Sequence, residues 1–127
     1  MTENEIGKEV VDAVIGIHRE LGPGLFESVY ELVLAYELEK RGLKVQRQVP
    51  IPIKYRDLEF DQGFKADIIV EGIVLLELKS VEKMAKVHWK QVITYLRLSD
   101  IKLGFLLNFG EALMKDGIKR VVNGLEE

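Results

Sequence analysis

The chain has 127 residues, 47% of them apolar, which suits one domain (1–127) around one hydrophobic core. It has no cysteine, excluding disulfides, thiolate metal sites and cysteine nucleophiles; no apolar run approaches the roughly 18 residues that span a bilayer, and the acidic opening MTENEIGKEV lacks the basic and apolar regions of a signal peptide, so a cytoplasmic protein without a membrane partner is expected. The net charge of −3 works against non-specific affinity for phosphate, although a local basic face can sit on an acidic body.

Residues 2–21 read as a helix. Thr2 and Glu5 fit a capping box, and Ile6, Val10, Val14, Ile17 and Leu21 recur at helical spacing. Gly22-Pro23-Gly24 ends it. A second helix is expected from about Phe26 to Arg41, with Gly42 as its stop. From 44 to 55 the period changes to two. Val45, Val49, Ile51, Ile53 and Tyr55 fall on one face, and Gln46, Gln48, Pro50, Pro52 and Lys54 on the other. The two prolines argue for an edge strand, where missing donors do little harm. Ala66–Val70 and Ile73–Lys79 read as two further strands, joined around Glu71-Gly72. Residues 82–98 form a third helix, with Trp89, Val92, Ile93 and Leu96 toward the core. Lys102–Phe109 is almost wholly apolar, as expected of a strand covered on both faces. Asp116-Gly117, between ALMK and IKRVV, is a hairpin signal; a short helix from Glu111 is the alternative. Mixed order of this kind implies a central sheet with helices packed on it.

Glu77 and Lys79 are two apart on one strand and share a face, while Val74, Leu76 and Leu78 point to the opposite, buried face. Charges on so apolar a strand are costly unless paired or bound to a ligand. Whether Asp67 joins them depends on the turn. A two-residue loop at 71–72 sets Asp67 opposite Leu76, on the wrong face. A three-residue loop, Val70-Glu71-Gly72, sets it opposite Leu75 and diagonal to Glu77, about 7–8 Å apart between backbones. Magnesium takes oxygen ligands and binds through one or two carboxylates plus substrate phosphate. Asp67 and Glu77 are the candidate carboxylates, and the Leu78 carbonyl a further oxygen. Lys79 is placed to orient or deprotonate an attacking water, or to neutralise charge developing on phosphate.

Asp67, then Glu77-Leu78-Lys79 on the next strand, resembles the PD-(D/E)XK nuclease signature, with Ala66 where the motif's name has proline. Gly24-Leu25-Phe26-Glu27-Ser28-Val29-Tyr30 is similar to the pattern that names the GxxExxY family, small proteins placed in this superfamily. Gln91-Val92-Ile93-Thr94-Tyr95 resembles the Q-x-x-x-Y helix motif of RecB-like exonucleases. The three elements stand in order along the chain, and the resemblance runs from about His18 to Val122. The resemblance implies an α/β (α+β) fold with a restriction-endonuclease-like core, a central mixed sheet flanked by helices. It implies a Mg²⁺ cofactor, with Mn²⁺ as substitute, and a nucleic-acid substrate. It also gives Glu27 a part in metal or water binding and places Gln91 at the site with Tyr95 beside it.

Plainer readings stand next to these. Asp67, Glu77 and Lys79 could be a cross-strand salt-bridge set, and Glu27 a first-turn acid favoured by the helix dipole. Tyr30 reads as a half-buried aromatic with a satisfied hydroxyl, in support rather than in chemistry. Gln91 and Tyr95 share a helix face and could be an amide and an aromatic at a helix–sheet boundary. His18 and His88 are the only histidines, and neither has metal-ligand spacing with another, which argues against zinc. Lys83, Lys86 and Lys90 form either a phosphate-facing edge or a solvated helix face.

Three functions follow. The leading one is a magnesium- or manganese-dependent phosphodiesterase acting on nucleic acid, DNA ahead of RNA. The second is a binding or assembly module that keeps the nuclease fold without turnover, which the acidic charge favours. The third is a structural role in a homodimer or larger homo-oligomer, with the edge strand at 44–55 pairing between subunits.

Overall fold

The computed structural model describes residues 1–126, apart from the side chain of Gln62. Helix α1 (Glu3–Leu21) opens on the capping box: the Thr2 hydroxyl accepts from the Glu5 amide, and the Glu5 carboxylate from the Thr2 amide. Its periodic apolar residues Ile6, Val10, Val14 and Ile17 are buried. Helix α2 (Glu27–Lys40) buries Tyr30, Leu34 and Leu38. Arg41, just beyond it, pairs with Glu9 at 3.1 Å and Asp12 at 2.9 Å on α1, tying the two helices together.

The strands are β1 (Val45–Tyr55), β2 (Leu58–Val70), β3 (Val74–Lys79), β4 (Leu103–Asn108) and β5 (Ile118–Val122), and they lie in that order in one five-stranded sheet. Only β3 and β4 are parallel. Parallel neighbours need a crossover, and α3 (Lys86–Ser99) supplies it.

Two cores result. On one face α1 and α2 cover Val74, Leu76, Leu78, Phe105 and Leu107. On the other, Val92 and Leu96 of α3 cover Leu75, Leu106, Ala66 and Ile69. Burial on both faces explains why β4 reads as an unbroken apolar run. Helix α3 comes close to the sheet at Gly104, where an added Cβ would lie 3.0 Å from Leu96 and 3.1 Å from the Leu75 carbonyl. The mixed sheet with helices on both faces is the restriction-endonuclease-like α+β class expected from the sequence. The proline-bearing strand is at the edge. Among the described residues no helix is long and apolar enough to cross a membrane.

Besides the turn between β2 and β3, four details differ from the sequence expectations. Strand β2 begins at Leu58, not Ala66, because β1 and β2 form a long hairpin whose outer residues Leu58 and Phe60 are exposed and carry no core signal. Helix α3 begins at Lys86 rather than 82. The Asn108 side chain holds the backbone of Val81 from both sides, accepting from its N–H at 3.0 Å and donating to its C=O at 2.9 Å, which ties the chain to β4 ahead of the helix. The ALMK segment is not a hairpin strand, and the short-helix alternative is the nearer: a 3₁₀ helix (Met114–Gly117) buries Met114 and leads into β5, which pairs with β4. Finally, the apolar residues of β1 do not share one face, for the reason given below.

Candidate active site

Glu71 (φ 53°) and Gly72 (φ 70°) are both left-handed, as a tight hairpin turn requires, and the Ile73 N–H donates to the Val70 carbonyl at 3.1 Å. The first register pair is nevertheless Val70 with Val74. Ile73 is an extra residue, and the loop is Glu71-Gly72-Ile73. The expected loop had the right length but began one residue too early. The correction matters, because the ladder ends at Ile68 with Leu76, and that register continued by one residue would bring Asp67 level with Glu77 instead of diagonal to it. Directly opposed residues lie about 4.5–5.5 Å apart.

At that level the side chains replace the ladder. The Asp67 N–H donates to Glu77 Oε1 at 3.1 Å, and the Leu78 N–H donates to Asp67 Oδ2 at 2.9 Å. Successive residues of a strand present their backbone groups to alternate edges. The Lys79 carbonyl accepts from Phe109, on the β4 side. The carbonyl of Leu78 therefore lies on the same edge as its N–H, toward Asp67.

Both strands of the hairpin change face at this level. Val45 packs with the α1/α2 core, but Val49 and Ile51 pack with the α3 core. On β2, Phe64 and Ala66 face α3, then Ile68 and Val70 face α1 and α2. The switch is at Gln48, whose φ of 52° reverses the strand's facing. Such a conformation costs a non-glycine residue about 1–2 kcal/mol, and strain of this kind collects at functional sites. Here it lets the Gln48 amide donate to both Glu31 Oε1 at 2.6 Å and Asp67 Oδ1 at 3.4 Å. Glu31 is buried on α2 and is also paired with Arg47 at 2.9 Å. Glu31 and Gln48 went unnoticed in the sequence. The only hint was that Glu31 follows Glu27 by one helical turn, on the same face.

The electrostatics are those of crowded acids. Burial pushes the Glu77 carboxyl up to about 8, and the neighbouring Asp67 charge adds to the rise. Asp67 is also raised, first by burial and then by the charges of Glu31 and Glu27, against the hydrogen bond from Leu78. Lys79 acts in the opposite sense on Glu77. Tyr95 is raised by burial and then by the charges of Glu77 and Asp67, and its ring stacks on Phe64 with centroids 3.7 Å apart.

The remaining candidates are placed as follows. Glu27 is exposed at the start of α2, within electrostatic reach of both carboxylates. The Tyr30 hydroxyl donates to the Gly22 carbonyl at 2.6 Å and accepts from Leu25 at 3.1 Å, while the ring stacks on Phe109 at 4.2 Å. Tyr30 thus fixes the loop that leads to Glu27. The Ser80 hydroxyl donates to the Leu25 carbonyl at 2.6 Å, tying that loop to the end of β3. Gln91 is exposed on α3, one turn before Tyr95. Lys83, Lys86 and Lys90 are exposed; Lys86 and Lys90 border a cleft beside Trp89, and Lys83 does not.

Among the described residues, no three His, Cys, Asp or Glu side chains gather as a ready-made ligand set. The donors at hand are the Asp67 and Glu77 carboxylates and the Leu78 carbonyl. They are all oxygen, the donor type a hard divalent cation prefers. A cation there would also relieve the cost of ionising two adjacent acids, Glu77 buried and Asp67 half-buried.

A family model of the PD-(D/E)XK nuclease superfamily matches residues 4–121 of this chain. No curated protein and no solved structure matches it.

Proposed function

This chain belongs to the PD-(D/E)XK nuclease superfamily, and from that membership we propose that it hydrolyses phosphodiester bonds in nucleic acid, DNA ahead of RNA, with a divalent metal. The observation that carries the proposal is the pair of hydrogen bonds that join Asp67 to Glu77 and Leu78, where side chains take over beyond the end of the backbone ladder. Asp67, Glu77 and the Leu78 carbonyl hold Mg²⁺, or Mn²⁺ in its place. Such an ion lowers the pKa of a bound water and offsets charge on the phosphate. Lys79, two residues along the same face, orients that water or donates to a phosphate oxygen. Glu27 and Gln91 complete the pocket, and Gln48, Glu31, Tyr30 and Tyr95 hold it in shape. The Gly24–Tyr30 segment supports placing the chain with the GxxExxY proteins, acting in the cytoplasm.

A second reading is a binding or assembly module without turnover. The net charge of −3 and the acids Glu27 and Glu31 beside the site favour it. Cleavage of labelled single- and double-stranded DNA and of RNA, with Mg²⁺ or Mn²⁺, decides between them. Metal-dependent cleavage is expected for the wild type, with losses of about 10²-fold or more in Asp67→Ala and Lys79→Ala. Activity that survives both substitutions rules out this site.

A further inference from the structure

The cleft between the start of α3 and β5 has a volume of about 610 Å³, within the usual range of roughly 300–1,000 Å³ for small-molecule sites. Leu106 and Asn108 form its floor. In the parallel β3–β4 register these residues are the partners of Glu77 and Lys79. The floor is therefore one strand spacing, about 4.8 Å, from the carboxylate-bearing strand and on the same face of the sheet. The Trp89 indole forms a wall, with the Lys119 ammonium 5.0 Å from its centroid. Lys86 and Lys90, one turn apart on α3, are exposed at the rim.

We propose that this cleft receives one unpaired nucleotide of a single-stranded DNA substrate, its base stacked on Trp89 and its phosphate held by Lys119, Lys86 and Lys90. The inference rests on the nuclease reading only for what happens next to the cleft. An aromatic face flanked by ammonium groups is the combination that holds single strands. On binding, the lysine–indole contact is exchanged for a base–indole stack and a lysine–phosphate pair. The Asn108 oxygen accepts from Val81 and Gly110 and one of its N–H groups donates to Val81, so it offers a base at most its second N–H, and the stack on Trp89 is itself tolerant of sequence. Glu111 and Asp116 also line the cleft, and their charge disfavours a second phosphate beside the one the three lysines neutralise. A base paired within a duplex is stacked between its neighbours and cannot enter.

Trp89 is the chain's sole tryptophan, so its fluorescence reports on the cleft directly. The experiment titrates the full chain, in EDTA to prevent turnover, with a short oligothymidylate and with a duplex of the same length. Saturable quenching by the single strand is expected, with the duplex at least about tenfold weaker. Lys119→Gln should weaken the single strand several-fold. Trp89→Ala, followed by anisotropy of a labelled strand, should weaken it by roughly 10- to 100-fold, with circular dichroism confirming that each variant is folded. Absence of quenching, equal quenching by duplex, or full affinity in folded Lys119→Gln and Trp89→Ala overturns the proposal. Quenching without any Mg²⁺-dependent cleavage defeats the nuclease reading and leaves the cleft standing; cleavage by a chain whose Trp89 does not respond defeats the cleft alone.

Discussion

Replacing Glu77 by glutamine should stabilise the metal-free protein, and by an amount that grows with pH. The glutamine carbonyl can still accept from the Asp67 N–H, as Glu77 Oε1 does, so the substitution removes a charge and keeps the geometry. In the folded state the Glu77 carboxyl sits at about 8, against 4.5 when unperturbed, through burial and then the Asp67 charge. Between those values the native state holds a proton that the unfolded chain has lost, so wild-type stability falls as pH rises. Below 4.5 both states are protonated and the penalty vanishes; above about 8 it is complete. At about 1.4 kcal/mol per pH unit the full span corresponds to roughly 5 kcal/mol. Asp67 and Glu77 titrate as a pair, and relief of Asp67 in the variant is included in the measured difference. Urea denaturation of both proteins in EDTA from pH 4 to 9 gives that difference directly. Glu77→Gln should match the wild type at pH 4 and exceed it by several kcal/mol at pH 9. Millimolar Mg²⁺ at pH 8 should then raise the wild type and leave the variant unchanged. A gap that stays constant from pH 5 to 8.5 would refute the reasoning.

Tyr30→Phe keeps the stack on Phe109 but loses the bonds to Gly22 and Leu25, so denaturation should show a loss of about 1–3 kcal/mol and cleavage should weaken as the Glu27 loop slackens; an unchanged midpoint would show the hydroxyl to be idle. Gly104→Ala places a methyl against Leu96 and the Leu75 carbonyl and should cost about 1–3 kcal/mol through overpacking, visible in thermal melts. Gln48→Ala and Gln48→Gly both cut the bridge from Glu31 to Asp67 and should lower Mn²⁺ affinity about 10- to 100-fold by titration calorimetry. Because φ at this position is 52°, the glycine variant should be the more stable of the two by about 1 kcal/mol; the reverse order would argue against a left-handed Gln48.

The helices and the inner strand were legible because their signals are local: a capping box at Thr2, a helical period in α1, and a continuous apolar run in β4. That Asp67 and Glu77 come together was legible too, Glu77 being a charge on a strand too apolar to carry it idly. Their exact juxtaposition was not. It depends on Ile73 being an extra residue in the turn, which composition does not reveal, since Gly72 suits loops starting at either residue. Glu31 and Gln48 were hidden for a stronger reason. Strict alternation along β1 puts Gln48 on a wet face, and only the reversal at its own backbone turns it toward Asp67. The late start of α3 was likewise set by a distant residue, Asn108.

Anomalous diffraction from crystals soaked in Mn²⁺ tests most directly whether Asp67 and Glu77 form a metal centre. One peak is predicted between the two side chains, within about 2.0–2.3 Å of an oxygen from each and close to the Leu78 carbonyl. A map with no peak there, or with manganese bound only elsewhere on the chain, would contradict it.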